Sequence, residues 1–366
     1  MKIQAAVLNH PKEDFVMEEV EMEDPRSNEV VVKVVATGLC HTDVAVIEQY
    51  MPLPLPIILG HEGAGVVEKI GSSVTKVKPG DKVVLGPASC GVCEFCLSGH
   101  PSYCKNFNAL NVSGRRMDGS TAYHLPDGKE VNGHFFAQSS FATYALANER
   151  NVFRVKEDTP LEMLGPLGCG FQTGSGSVLN VIQPRPGESI VVSGIGPVGL
   201  AGIMGAKAAG CTTIIAVDVF DARLEMAKEL GATHTFNSKN GKPSEEVLKL
   251  FPEGIDYAFD TTSLNEVIND NLTMLKPMSK CILVGVGKSP TLDIDYVHFE
   301  DGKNIEFAIE GDSQPDIFIN RLIELYKHGM FPFDKLITYY EFKDINQAVK
   351  DFTQGKVIKA VIRMPQ

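Results

Sequence analysis

The fold of the second half of the chain is decided by one stretch, Glu188-Ser189-Ile190-Val191-Val192-Ser193-Gly194-Ile195-Gly196-Pro197-Val198-Gly199. Its first half is apolar and β-branched, which predicts a buried strand. Its second half has the form G-x-G-x-x-G and leads into a helical run to Ala209. A second strand, Thr213 to Asp218, ends in an acid nineteen residues after Gly199. The glycine pattern alone is weak, but between a strand and a helix, with an acid at this distance, it predicts a dinucleotide-binding unit.

Each part of this motif has a chemical purpose. The glycines permit a tight turn and close backbone approach, so that a pyrophosphate can sit on the helix N-terminus, where free N–H groups favour an anion. Asp218 would accept hydrogen bonds from the adenosine ribose and repel a 2′-phosphate, which favours NAD over NADP. The alternative is a glycine turn that binds no ligand.

The remaining sequence predicts two domains that differ in their pattern of strands and helices. Further strands alternate with helical runs and complete a doubly wound parallel sheet. These strands are predicted at 257–260, 281–286 and 304–310. The first part of the chain instead has short strands, such as 30–35, separated by Gly and Pro, which predicts a β-rich, barrel-like domain. Residues 135–144 are predicted to form one of its strands. Helices at 315–328 and 344–353 lead to a closing strand at 358–364.

A metal site is predicted from two short motifs and one distant cysteine. The motifs are Gly38-Leu39-Cys40-His41-Thr42-Asp43 and Gly60-His61-Glu62-Gly63, and the cysteine is Cys169. Cys and His are ligands that zinc prefers, and a carboxylate such as Asp43 is the usual partner that orients a ligand histidine. Three protein ligands leave the fourth position open, which is the catalytic arrangement. Alternatively, Cys40 and Cys169 are buried thiols and His61 is a core histidine.

A second set of cysteines has the spacing Cys-x₂-Cys-x₂-Cys-x₇-Cys. Its members are Cys90, Cys93, Cys96 and Cys104. Four thiolates can close a structural zinc site with no open position. An iron–sulfur cluster is a competitor, although the ferredoxin pattern continues with x₃-Cys-Pro, which Cys104-Lys105 does not supply. Disulfide pairing is the third possibility. Cys211 and Cys281 lie in apolar sequence and are predicted to be ordinary buried thiols.

The motifs around Cys40, His61 and Cys169 resemble those of the zinc-dependent alcohol dehydrogenases of the medium-chain family. Within this family the resemblance is strongest to the benzyl (aryl) alcohol dehydrogenases. The resemblance covers essentially the whole chain. It implies a GroES-like catalytic domain at 1–170, completed by 310–366, and a Rossmann domain at 171–309. It also implies two zinc ions per chain, NAD, a small alcohol or aldehyde as substrate, and a homodimer or homotetramer. The implied reaction is hydride transfer from a primary alcohol to NAD, and the reverse.

The resemblance also assigns roles to individual residues. Thr42 matches the hydroxyl that passes on the alcohol proton, Asp43 would orient His61, and Glu62 matches a carboxylate near the metal. Many relatives have a histidine proton acceptor at the position of Ala45. The implied substrate positions are Thr42, Gly86, Pro87, Phe135 and Phe136; Gly86 and Pro87 replace a bulkier residue. The implied cofactor positions are His41, Thr173, Gly194, Gly196, Pro197, Val198, Gly199, Asp218, Arg223, Val284, Val286 and Lys359.

Composition narrows the class of protein. The 366 residues are 43% hydrophobic and 22% charged, as in globular proteins of two domains. A formal charge of -12 argues against nucleic acid or an anionic membrane as a partner. No apolar run is long enough for a membrane span, and the N-terminal sequence lacks the architecture of a signal peptide. A cytoplasmic location is therefore expected.

Three other functions are open on sequence alone. One is an NAD-linked dehydrogenase of aliphatic or other alcohols. Another is a zinc-free reductase of enones or quinones on the same scaffold, although such a relative lacks both the three ligands and the four-cysteine lobe. The third is a nucleotide- and zinc-binding module without turnover, against which the set Cys40, Thr42 and His61 argues.

Overall fold

A computed structural model describes residues 1–156, 158–285, 287, 289 and 291–365. The chain forms two compact units. The first consists of Met1–Cys169, Gln314–Ile323 and Asp334–Gln366, and the second of Gly170–Ser313 and Glu324–Phe333. No helix in the described part of the chain is long and apolar enough to cross a membrane.

Short strands dominate the first unit, whereas strands alternate with helices in the second. The strands are β1 (Lys2–Leu8), β2 (Val16–Met22), β3 (Glu29–Gly38), β4 (Ile57–Ile58), β5 (Glu62–Ile70), β6 (Lys82–Leu85), β7 (Tyr123–His124), β8 (Glu130–Val131), β9 (Tyr144–Asn148), β10 (Val152–Arg154), β11 (Ser189–Ser193), β12 (Thr213–Asp218), β13 (His234–Asn237), β14 (Ile255–Asp260), β15 (Leu275–Leu283), β16 (Asn304–Phe307), β17 (Ile337–Glu341) and β18 (Lys359–Arg363). The α-helices are α1 (His41–Ile47), α2 (Glu94–Leu97), α3 (Phe107–Asn111), α4 (Gly170–Gly176), α5 (Pro197–Ala209), α6 (Asp221–Leu230), α7 (Pro243–Leu250), α8 (Asn265–Met274), α9 (Pro315–Lys327) and α10 (Ile345–Thr353).

The first unit is built from two sheets of mostly antiparallel strands. One has the order β4-β1-β2-β7-β8 and the other β10-β6-β5-β3-β18-β17, with β9 also paired to β3. The long strand β3 is rich in valine, and Val30, Val31 and Val32 are buried in the core. Because β-branched side chains pack well on a pleated surface, this run favours a central strand. The predicted β-rich, barrel-like domain is confirmed.

The second unit contains a parallel sheet with the order β13-β12-β11-β14-β15-β16. Val191, Ile215 and Ala258 in its central strands are completely buried, as parallel sheets require. Helix α5 begins at Pro197 and ends at Ala209, and the next residue, Gly210, has a left-handed φ of +88° that stops the helix. The predicted doubly wound parallel sheet is confirmed.

The prediction for residues 135–144 was wrong. Phe135–Ala137 form a 3₁₀ turn, and the strand β9 begins only at Tyr144. Aromatic residues favour strands, but here tertiary contacts hold Phe136 and Ala137 at φ of +48° and +55°. The strand predicted at 281–286 is the end of β15, which stops at Leu283.

Candidate active site and metal centres

The structure brings the three predicted ligands together within the first unit. Cys40, His61 and Cys169, with Glu62, each offer one ligand atom, and these atoms lie within 4.8 Å of one another. Cys40 immediately precedes α1, His61 immediately precedes β5, and Cys169 follows a short 3₁₀ turn. The site is thus assembled from the ends of elements that are distant in sequence.

Asp43 orients the His61 ring. Nδ1 of His61 lies 3.1 Å from Oδ1 of Asp43, and both residues are completely buried. The same carboxylate accepts hydrogen bonds from the backbone N–H groups of Cys40 (3.0 Å) and Gly60 (3.1 Å). Nε2 of His61 is buried and has no hydrogen-bond partner among the described residues. An imidazole fixed at Nδ1 with an orphaned Nε2 fits a metal ligand.

The electrostatics of the cluster favour the deprotonated thiol that a metal needs. A hydrogen bond with Cys169, assisted by the charges of His61 and Lys359, lowers the pKa of Cys40 well below its usual value although burial opposes this. Burial lowers the pKa of His61, but the charges of Asp43 and Cys40 outweigh it and raise the pKa well above its ordinary value. Two thiols and an imidazole match the ligand preference of zinc, so the donor set fits that metal.

Glu62 and Lys359 form a buried ion pair beside this cluster. Nζ of Lys359 donates to Oε1 of Glu62 at 2.7 Å and to the carbonyl of Leu39 at 3.0 Å. The side chains of Glu62 and Lys359 are 0% and 1% exposed, respectively. Burial raises the pKa of Glu62 despite the nearby ammonium group. The amino group of Lys359, which the resemblance assigns to the cofactor, therefore lies against Glu62.

The four cysteines of the second set also converge. Their sulfur atoms lie within 4.8 Å of one another, with Cys93 and Cys96 at 3.5 Å. All eight cysteines lie in the described part of the chain and all are free there, so no disulfide links this lobe. Backbone N–H groups of Cys96 and Lys105 lower the pKa of Cys93 to about 6. Four convergent thiols around one centre fit a closed tetrahedral metal site.

The residues assigned to the substrate pocket are more enclosed than the sequence suggests. Phe135 is 0% exposed and Phe136 is 6% exposed. Both rings pack on His61, Phe136 stacked at 4.6 Å and Phe135 edge-on at 5.3 Å. A Cβ atom at Gly86 would lie 2.9 Å from the carbonyl oxygen of Gly168. Gly86 thus permits close packing beside Cys169 and leaves no extra space, while Pro87 is half-buried.

Thr42 and His41 lie at the start of α1, next to the first ligand. Oγ1 of Thr42 is 3.7 Å from the sulfur of Cys40, and Thr42 is half-exposed. His41 is exposed, and its ring packs edge-on against Phe352 at 5.4 Å. Ala45, in the same helix, is completely buried. The start of α1 therefore places the hydroxyl of Thr42 beside the sulfur of Cys40.

The glycine-rich loop in the second unit has the shape that a pyrophosphate requires. Gly194 has a φ of +86°, and a Cβ atom at Gly199 would clash with the carbonyl oxygen of Gly194. A Cβ at Gly196 would meet nothing within 4 Å, so this backbone faces open space at the start of α5. Pro197 is the first residue of the helix. An open glycine at a helix N-terminus fits a dinucleotide phosphate.

Asp218 lies at the carboxyl end of β12. Oδ2 accepts from the N–H of Ile195 at 2.6 Å, and Oδ1 accepts from the N–H groups of Val219 and Phe220 at 2.7 and 2.9 Å. Arg223 approaches Asp218 at 3.7 Å and lies over the ring of Phe220 at 4.8 Å. Asp218 thus joins the glycine-rich loop to the end of the second strand.

The remaining predicted cofactor residues are dispersed. Thr173 in α4 has Oγ1 at 3.3 Å from a carboxylate oxygen of Glu310. Val198 is half-buried in the first turn of α5, and Val284 is 2% exposed. Val286 lies outside the described residues.

Sequence reasoning missed two buried polar residues at these sites. Gln138 is 0% exposed, and its amide bridges the carbonyl of His61 and the N–H of Gly63. Glu310 is 8% exposed and also accepts from Gln172 at 3.0 Å. Neither residue belongs to a spacing motif. A polar triplet, Gln138-Ser139-Ser140, inside a stretch predicted as strand was the one available signal.

Comparison with protein families gives two matches. Residues 26–157 match the alcohol dehydrogenase GroES-like domain, and residues 197–328 match the zinc-binding dehydrogenase domain. A geraniol dehydrogenase from Castellaniella defragrans is 39% identical over 98% of this chain and 97% of that protein.

Two of the similar solved structures match over 100% of both chains and share more than 40% of their residues with this chain. One is an alcohol dehydrogenase zinc-binding domain protein from Burkholderia ambifaria, with a TM-score of 0.98 and 44% identity. The other is the benzyl alcohol dehydrogenase from Acinetobacter calcoaceticus, with a TM-score of 0.96 and 42% identity. Sequence, fold and both family domains therefore agree, and the chain belongs to the zinc-dependent alcohol dehydrogenases of the medium-chain family.

Proposed function

We propose that this protein oxidises primary aromatic or allylic alcohols to aldehydes with NAD, and catalyses the reverse, at a zinc ion held by Cys40, His61 and Cys169. The observation that carries the proposal is the buried, orphaned Nε2 of His61 in a cluster whose ligand atoms lie within 4.8 Å. A bound zinc ion would supply Lewis-acid polarisation of the alcohol oxygen, and a bound nicotinamide the hydride acceptor.

The protein's own residues would direct the proton. Thr42 is placed beside the sulfur of Cys40, so its hydroxyl can accept the alcohol proton and pass its own proton on. Asp43 keeps the proton of His61 on Nδ1 and leaves Nε2 for the metal. Ala45 is buried and has no group that could accept a proton, so Thr42, which is half-exposed, would release the proton towards water.

NAD is the proposed cofactor because of Asp218. Its carboxylate lies at the end of the second strand, where an adenosine ribose would bind, and it accepts a hydrogen bond from the glycine-rich loop. A carboxylate accepts hydrogen bonds from ribose hydroxyls and repels a 2′-phosphate. Thr173, Val198, Arg223 and the exposed His41 are the further residues proposed to contact it.

The substrate class is supported by the relatives and by the aromatic rings at the site. Geraniol and benzyl alcohol both have their alcohol carbon beside a π system, which stabilises the charge that develops as hydride leaves. Phe136 retains 6% exposure, whereas Phe135 is enclosed. We therefore assign the substrate contact to Phe136 and a supporting contact to Phe135.

A second zinc ion is proposed in the lobe of Cys90, Cys93, Cys96 and Cys104. All four positions of a tetrahedral ion would be filled by thiolates, so this metal would hold the lobe and take no part in chemistry.

A dimer is proposed through the open edge of the parallel sheet. β16 pairs with β15 and, in the described part of the chain, with no further strand. Phe307 on this strand and Tyr296 and Val297 close to it in sequence are 53%, 79% and 62% exposed. An open strand edge that carries an exposed apolar side chain favours pairing with a second copy.

Metal analysis of two variants tests the metal assignment. The wild-type protein should contain two zinc ions per chain. Cys169→Ser should lose one zinc ion and all NADH formation while keeping its melting temperature within a few degrees. Cys96→Ser should lose the other ion and melt earlier, because metal binding there is coupled to folding of the lobe. One metal per chain in the wild type, or iron in the lobe, would contradict this assignment.

A further inference from the structure

The segment from His134 to Ser140, which we call the clamp segment, has an unusual backbone. Four of its residues are not glycine and yet have a left-handed φ: His134 (54°), Phe136 (48°), Ala137 (55°) and Ser139 (54°). This conformation is unfavourable for residues with a Cβ atom. Such strain persists only where the surrounding structure enforces it, and it concentrates at functional sites.

The clamp segment is held by hydrogen bonds to the residues around His61. Oγ of Ser139 donates to the carbonyl of Ile58 at 2.7 Å, and the N–H of Ser140 donates to the carbonyl of Gly60 at 2.8 Å. Gln138 makes the closest connection: its Nε2 donates to the carbonyl of His61 at 2.9 Å, and its Oε1 accepts from the N–H of Gly63 at 3.0 Å. One buried amide thus ties the carbonyl of a metal ligand to the N–H two residues further on, and so fixes the backbone that leads from His61 into β5.

The same segment also fixes the plane of the imidazole. The ring of Phe136 stacks on that of His61 with an interplanar angle of 26°, and Phe135 meets it edge-on at 89°. Asp43 holds Nδ1 from another direction at 3.1 Å. With the backbone, the ring plane and Nδ1 all fixed, the direction of Nε2 is determined by protein contacts alone.

We infer that Gln138 is a positioning residue for His61, and that the clamp segment fixes the orientation of Nε2 already in the metal-free protein. The inference rests on the proposed zinc site at Cys40, His61 and Cys169. A ligand that cannot rotate away after its bond to the metal breaks will rebind it at once, so the clamp should slow metal release. Loss of a residue that orients a ligand typically costs about tenfold to a hundredfold in metal affinity.

Zinc release to a chromophoric chelator, followed in the intact protein, tests this role. The release phase that is absent in Cys169→Ser reports the His61 site, and the phase absent in Cys96→Ser reports the lobe. Gln138→Met keeps the side-chain length and removes both hydrogen bonds. We expect the His61 phase to become about tenfold to a hundredfold faster while the lobe phase is unchanged.

A matched control is Asn346→Leu. Asn346 bridges the N–H and the carbonyl of Phe15 at 2.8 and 2.9 Å, so this variant loses the same kind of amide bridge away from His61. It should leave the His61 phase at its wild-type rate. Should Gln138→Met fail to fold, Ser139→Ala loosens the same segment more gently and should accelerate the same phase to a smaller extent.

The outcomes separate this inference from the proposed function. An unchanged His61 phase in a folded variant, or equal acceleration of both phases, would overturn the positioning role and leave the zinc site in place. A wild-type protein with no His61 phase would overturn both.

Discussion

At the scale of single residues, Asp218 makes the sharpest prediction. The wild-type enzyme should favour NAD over NADP by about a hundredfold or more in kcat/KM, because a 2′-phosphate would meet a buried carboxylate. Asp218→Ser removes the repulsion and leaves Arg223 nearby as a cation, so the preference should fall at least ~10-fold. Initial rates with both cofactors measure the ratio.

Asp221→Ser is the matched control for this change. Asp221 is also an acid near the end of β12, but it is exposed and accepts from Asn237 at 2.6 Å. It should keep the wild-type ratio. Equal efficiency with NADP in the wild type, or an Asp218→Ser variant that gains nothing with NADP, would remove Asp218 as the selector.

Residues also show how far the sequence predicts the site. The convergence of Cys40, His61 and Cys169 was predictable because their ligand chemistry and the flanking glycines are visible in the sequence itself. Gln138 was not, because it reaches His61 across a separation of 77 residues and its role exists only in the folded chain. The resemblance implies that Gly86 replaces a bulkier residue and so makes space for substrate, whereas in the structure a Cβ atom there would already lie 2.9 Å from the carbonyl oxygen of Gly168.

At the scale of elements, the turn that carries His134 predicts a pH-dependent stability. His134 is buried, and its Nε2 accepts from the N–H of Ala122 at 3.3 Å. Burial, reinforced by Arg116 and Arg26, lowers the pKa of His134 to about 3. In the unfolded state the imidazole is protonated below about pH 6.5, whereas in the folded state it stays neutral. The free energy of unfolding therefore falls as the pH drops below that value.

The size of this effect can be measured by substitution. Because of His134, the free energy of unfolding should decrease by about 2 kcal/mol when the pH falls from 6.5 to 5. His134→Gln keeps an acceptor for Ala122 but does not titrate, so the difference in unfolding free energy between variant and wild type should shift by that amount over this range. Calorimetric melting at several pH values is the measurement, and a constant difference would contradict the assignment.

The same turn shows why one element was mispredicted. Phe135, Phe136, Phe141 and Tyr144 have high strand propensity, which made a strand the natural expectation. The left-handed backbone of the clamp segment is enforced by contacts with residues 58–63, which are remote in sequence. By contrast, β11, α5 and β12 were predicted within one or two residues because their apolar runs and end signals are local.

At the scale of the whole molecule, the open edge of the parallel sheet predicts an oligomer. Light scattering coupled to size-exclusion chromatography should show a dimer or a multiple of it. Phe307→Asp places a charge on β16, and the dimer should dissociate at least partly. Leu250→Asp, at the end of α7 with 56% exposure, is the control and should leave the mass unchanged. A monomeric wild type would refute the prediction.

The rate of NADH formation from two alcohols, benzyl alcohol and ethanol, tests the proposed reaction. The zinc-loaded protein should oxidise benzyl alcohol with a kcat/KM that exceeds that for ethanol by about a hundredfold or more, because the aromatic ring is buried and its π system assists hydride loss. Equal kcat/KM values would contradict the proposed substrate class, and no NADH from either alcohol would contradict the proposed function itself.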